Sequence, residues 1–179
     1  MNKNQLFLAS RIALIFTAMT FAFRAGLEGV LEYRVFLTKE QLWLDLFSSL
    51  LWIYFGDAYL VALMRCDRNE NDCCVLAFVG HIAGVVVYLT AKDATMLFVG
   101  TLCIGIGNGM VEAACNPLTV TLFPDNKTTM LNRFHVWFPG GIVIGGLLSY
   151  AIIDKDASRL AHTYFPIVYS CGHLWFSVF

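Results

Sequence analysis

The chain has 179 residues, of which 58% are hydrophobic and only 14% charged, with a mean hydropathy of +0.66. Soluble domains average roughly 45–50% apolar and about 25% charged residues, so this composition excludes an ordinary soluble globule. A net charge of −1 offers no basic excess to neutralise phosphates, which excludes nucleic acid as a partner.

A helix needs roughly 20 apolar residues to cross the hydrocarbon core. Six stretches predict such spans in chain order. The first runs from Leu6 to Tyr33 and carries Arg24, Glu28 and Glu32. The second covers Leu42 to Met64, the third Cys74 to Ala91, the fourth Thr95 to Phe123 and the fifth Phe134 to Ile153. A sixth begins near His162 and is still apolar at Phe179. Short polar segments join them: Arg34–Gln41, Arg65–Asp72, the Lys92-Asp93 turn, a longer loop at Pro124–Arg133, and Asp154–Arg159. The runs lack the alternation of a membrane β-barrel, which favours helices. The predicted fold class is an all-α membrane protein, a six-helix bundle in which the lipid bilayer is the solvent. Loop cations split six against five, which tilts both termini towards the cytoplasm.

The six cysteines form no C-x-x-C pair. Cys66, Cys73 and Cys74 gather near His81, but their spacing fits no common zinc pattern, so no metal and no cofactor are expected. No signal-peptide cleavage site follows the first apolar run. No Ser/His/Asp or metal-binding grouping falls within a span, so an enzyme is not expected.

Gly80/Gly84, Gly105/Gly109 and Gly141/Gly145 are each spaced by four, and Ser149 extends the last row. Small residues at that spacing let helices approach closely in lipid. The run Gly105-Ile-Gly107-Asn-Gly109 also resembles a phosphate loop, but that needs a preceding strand and aqueous surroundings. Glu112 stands alone as a charge in the fourth span, four residues before Asn116 on the same face, with a bend expected at Pro117. Ionisable groups in a span are functional or paired. Arg24, Glu28 and Glu32 share a face of the first span; Arg24 pairs either with Glu28 or across to Glu112. At the fifth span, Asn132, His135 and Trp137 offer an amide, a proton relay and a ring for stacking on a sugar; the competing assignment is an interfacial aromatic belt. Asn126-Lys127-Thr128 matches a glycosylation sequon in a loop expected to face the cytoplasm.

The segments GIGNGMVEAACNP and LNRFHVWFPGGIVIGG resemble the fourth and fifth helices of the major facilitator superfamily, closest to its fucose–galactose–glucose proton-symporter subgroup. The likeness covers Leu97 to Ser149. It implies that residues 1–179 form the N-terminal six-helix half of a twelve-helix transporter, with solute bound against a missing C-terminal half. It implies Glu112 as the proton-linked carboxyl, Asn132–Trp137 as the solute-contacting region, and Glu28 as the nearest match to a helix-one acid. Arg24 departs from the subgroup's pattern. In the gating loop, Asp67-Arg68 is retained, while Leu63 and Asn69-Glu70 replace the expected glycines. The expected function is proton-coupled uptake of a sugar or other small polar solute across the plasma (inner) membrane. An organic-anion carrier using Arg24 as counter-charge, and a non-transporting membrane scaffold, are the alternatives.

Overall fold

The computed structural model describes residues 2–45, 47–48, 51 and 70–153, with the side chains of 28–35, 70–78 and 152–153 left aside. Most of the second span, the Asp67-Arg68 loop and the whole sixth span lie outside the described residues, as do the side chains of Glu28, Glu32, Cys73 and Cys74. Five α-helices are seen: α1 (Lys3–Val35), α2 (Glu70–Leu89), α3 (Ala94–Leu122), α4 (Lys127–His135) and α5 (Trp137–Ile153). Residues 39–45 are helical as well. α4 and α5 together occupy the predicted fifth span, and the expected count of six spans is not reached among the described residues. Among the described residues, three stretches are long and apolar enough to cross a membrane: Lys3–Leu27, Ala94–Leu122 and Lys127–Ala151.

α1 has no proline and runs for 33 residues, about 50 Å at 1.5 Å per residue. It stops at Phe36, whose φ of 55° is left-handed, the usual conformation just past a helix end. The next helical turn starts on a reciprocal cap. The Gln41 side chain accepts from the Thr38 N–H at 3.0 Å, and the Thr38 hydroxyl accepts from the Gln41 N–H at 3.3 Å. The predicted Arg34–Gln41 loop is therefore shorter than expected.

α2 and α3 form an antiparallel hairpin around the Lys92-Asp93 turn. The Asp93 carboxylate caps α3, accepting from the Met96 N–H at 2.7 Å. Two glycines permit the contact. A Cβ at Gly84 would lie 2.8 Å from the Ile104 nitrogen, and one at Gly100 would lie 2.7 Å from the Tyr88 nitrogen. At Gly80 a Cβ would meet nothing within 4 Å, so only Gly84 of that predicted pair makes a close approach. Asp93→Ala removes the cap and is expected to cost ~1 kcal/mol. The readout is the thermal unfolding midpoint in detergent. Asp93→Asn, which keeps an acceptor oxygen, should lose little, and an unchanged midpoint in Asp93→Ala would count against the cap.

The predicted loop Pro124–Arg133 is mostly helix. Only 123–126 connect, and α4 follows, with Phe134 fully buried against Phe7, Leu14, Met110 and Val111. A nine-residue helix with polar sides, anchored by Phe134 with Met130 and Leu131 partly buried beside it, produces no long apolar run, so it reads as loop. Backbone bonds continue through the junction, from Val136 N–H to Asn132 C=O and from Gly140 N–H to Val136 C=O. Pro139 lacks an N–H for the carbonyl of His135, which explains the break there.

α5 lies on α1 in the same direction. A Cβ at Gly141 would sit 2.5 Å from the Ile15 carbonyl oxygen, and one at Gly145 would sit 2.9 Å from the Ala22 Cβ. Ser149, also buried, extends the row as predicted. α3 runs antiparallel to α1: the Phe7 and Phe123 rings meet edge-on at 5.0 Å, while Met19 and Phe23 pack with Ile104 near the other end. α2 is consequently parallel to α1.

The cross-section is inverted relative to a soluble protein. Leu147, Leu8, Val143 and Phe98 are exposed, whereas Ser10, Thr17, Arg24, Asp45, Thr101, Asn108 and Thr119 are buried. Apolar surroundings outside and polar groups inside are what lipid-facing packing produces.

Candidate functional site

Gly105, Gly107 and Gly109 all lie inside α3 and are buried. A continuous helix cannot wrap a phosphate, so the GIGNG run is not a phosphate loop. α3 also passes helically through Pro117, and the Thr121 hydroxyl donates to the Pro117 carbonyl at 2.9 Å.

One face of α3 is polar. Thr101, Asn108, Glu112 and Thr119 follow at intervals of seven, four and seven residues, which returns each to the same side of a 3.6-residue helix. Thr101, Asn108 and Thr119 are buried and Glu112 is half-buried. Asn116 flanks the row. The Oδ1 atoms of Asn108 and Asn116 are buried and accept no hydrogen bond.

At one end of this face stands an ion pair that the sequence did not suggest. Arg24, 1% exposed, comes from α1 and reaches Asp45 of the helical turn 39–45, with Nη1 3.7 Å from Oδ2. The Thr101 hydroxyl donates to that same Oδ2 at 3.0 Å. The Arg24 guanidinium also lies 5.4 Å from the centre of the Phe21 ring. Three separate segments are thus tied together by one buried carboxylate. Arg24 stands at the level of Thr101. Glu112 is eleven residues further along α3, about 16 Å away. The charge partner the structure shows for Arg24 is Asp45, on a segment that neither expected pairing involved. Whether Glu28 also faces Arg24 lies outside the described side chains.

The residues from the fifth span scatter. Asn132 is exposed on α4 and its carbonyl is used by the Val136 N–H. The His135 ring, half-buried, packs edge-on to Phe134 at 5.2 Å. The Trp137 ring is 5.9 Å from the Arg11 guanidinium, which also covers Phe7 at 4.7 Å. A partly exposed Trp beside a cation near the N-terminal end of α1 matches the interfacial-belt assignment. The structure therefore gathers Arg24 with the polar face of α3 that carries Glu112 and Asn116, and places Asn132, His135 and Trp137 at the end where α1 begins.

Asp45, Thr101 and Asn108 are the residues that sequence reasoning passed over. An acid three residues into a predicted span is a visible signal for Asp45. For Asn108 the glycine motif drew attention away from the amide within it.

Comparison with known proteins fits this inverted, polar-cored bundle. Over 118 residues the chain is 26% identical to H(+)/hexose cotransporter 1 of Parachlorella kessleri, a match covering 61% of this chain and 22% of that protein. The chain is similar to a sugar transporter. It spans about a fifth of that relative's length. No family model matches the chain, and no solved structure matches it. The likeness and the apolar helices support an integral membrane protein.

Proposed function

We propose that this chain is a multi-pass half of a secondary transporter of the plasma (inner) membrane, working with a second six-helix half to take up a sugar or other small polar solute together with protons. The observation that carries this is the polar face of α3, holding Glu112 inside a bundle whose outer surface is apolar. Likeness to a protein named as a proton/hexose cotransporter points the same way, and the motif GIGNGMVEAACNP resembles the fourth helix of the fucose–galactose–glucose subgroup. Glu112 is the coupling carboxyl in this scheme: it binds a proton when the cavity opens to one side and releases it on the other. No enzymatic step is assigned. The organic-anion alternative requires the charge of Arg24 for the solute, and Asp45 already supplies a counter-charge at 3.7 Å.

Glu112→Gln in the intact transporter tests the scheme, because Gln keeps the shape and hydrogen bonding but cannot titrate. Reconstituted into proteoliposomes with a proton gradient, the variant is expected to lose concentrative uptake of labelled hexose while retaining hexose exchange. Concentrative uptake at the wild-type level would remove Glu112 from the coupling step. A wild-type protein that neither accumulates nor exchanges any small solute would support a scaffold instead.

A further inference from the structure

Asn108 is the fifteenth of the 29 residues of α3 and so stands at the midpoint of the span. Transporters of this architecture bind solute near the bilayer midplane. The residue is 2% exposed, yet its Oδ1 has no hydrogen-bond partner. Buried polar atoms in folded proteins are nearly always satisfied, and each exception calls for a cause. Its sequence neighbours, Gly107 and Gly109, have no side chains that could reach over the amide. Asn116, two turns on, repeats the feature with a second unpartnered Oδ1, and Glu112 lies between them.

We propose that Asn108 receives a hydroxyl of the transported solute, so that the seat on α3 is built for a vicinal diol. This rests on the transport function proposed above and assigns the residue that reads the solute. A carboxamide presents an acceptor oxygen and a donor nitrogen in one plane. A diol satisfies both, since one hydroxyl donates to Oδ1 while its neighbour accepts from the amide nitrogen. A bare carboxylate or phosphate has no proton for Oδ1. A site that hydrogen-bonds a hydroxyl strongly rejects the analogue lacking it, because its own buried group is then left unsatisfied. Emptiness of the acceptor without solute and discrimination with solute are two consequences of one arrangement.

The test uses the intact transporter in proteoliposomes, with D-glucose and its singly deoxygenated analogues as probes. Wild type is expected to bind glucose at least about tenfold more tightly than one of the deoxy sugars. In Asn108→Leu and Asn108→Ala, glucose affinity should fall to that of the same deoxy sugar, whose own affinity stays unchanged. Because the substitution removes an unsatisfied acceptor, the thermal midpoint without solute should hold or rise in Asn108→Leu, while the shift caused by glucose disappears. Retained discrimination in either variant overturns the role of Asn108, as does a uniform loss for every sugar accompanied by a lower midpoint. Wild type that carries none of the sugars overturns the transport function itself, an outcome visible before any variant is made.

Discussion

Asp45→Leu is expected to lower the thermal unfolding midpoint by on the order of 10 °C and to cut the yield of folded protein sharply. The carboxylate of Asp45 faces the Arg24 guanidinium at 3.7 Å and takes the Thr101 hydroxyl at 3.0 Å, and both partners are buried. Removing one member of a buried ion pair costs about 3–5 kcal/mol, chiefly because the remaining charge keeps its desolvation penalty and loses its counter-charge. For a chain of this size each kcal/mol moves the midpoint by roughly 2–4 °C. Asp45→Asn is the gentler variant. It retains an acceptor for Thr101 but removes the charge, so its loss should be intermediate. The diagnostic is the double variant Arg24→Met/Asp45→Leu. Apolar replacement of a whole buried pair is often neutral or stabilising, so the double variant should melt well above Asp45→Leu alone. A double-mutant cycle measures the coupling. Additive losses would mean that the two side chains stabilise the bundle independently, contrary to the geometry.

The spans of α1, α2 and α3 were legible because a long apolar run has almost no other use. Their predicted ends, 6–33, 74–91 and 95–123, fall within a few residues of Lys3–Val35, Glu70–Leu89 and Ala94–Leu122. α4 was not legible, since Phe134 is its one fully buried residue, Met130 and Leu131 pack only partly buried beside it, and Lys127, Asn132 and Arg133 give it the composition of a loop. Glu112 stood out as a lone charge in an apolar run. Asp45 carried a signal too, three residues inside its predicted span, but so near Lys39 and Glu40 at the span's start it reads as an interfacial acid. The partner of Arg24 is 21 positions away on another segment, and helical spacing carries information only over neighbouring turns. The same limit applies to glycine. Spacing by four marked Gly80/Gly84 and Gly141/Gly145 alike, yet Gly80 meets nothing within 4 Å while both members of the second pair touch α1. Periodicity reports that a stripe exists; the partner's direction and register decide which positions on it are tight.

That distinction gives the α1–α5 contact a graded prediction. Gly141→Leu is expected to be the most damaging of three leucine substitutions on α5, Gly145→Leu intermediate, and Gly146→Leu harmless. A Cβ at Gly141 would stand 2.5 Å from the Ile15 carbonyl oxygen and 2.7 Å from the Ala18 Cβ. The first obstacle is backbone, which no rotamer change relieves, so α1 and α5 must separate along their whole contact. At Gly145 the nearest atoms are the Ala22 Cβ at 2.9 Å and the Met19 Cα at 3.0 Å, a smaller violation, though these atoms too move only with the α1 backbone. Overpacking costs typically about 1–3 kcal/mol and more where the backbone is displaced. At Gly146 nothing lies within 4 Å. Leucine there gains helix propensity over glycine by up to ~1 kcal/mol and points outward, as its exposed neighbours Leu147 and Leu148 do. All three variants add the same side chain to the same helix within six residues, so membrane insertion and overall hydrophobicity are matched. Size-exclusion profiles and melting midpoints in one detergent then isolate packing against α1. Equal stability of Gly141→Leu and Gly146→Leu would show that α5 does not lie on α1 in this register. An ordered decline from Gly146 through Gly145 to Gly141 would support the parallel pairing, because only that pairing sets Ile15 and Ala18 against Gly141 while leaving Gly146 open.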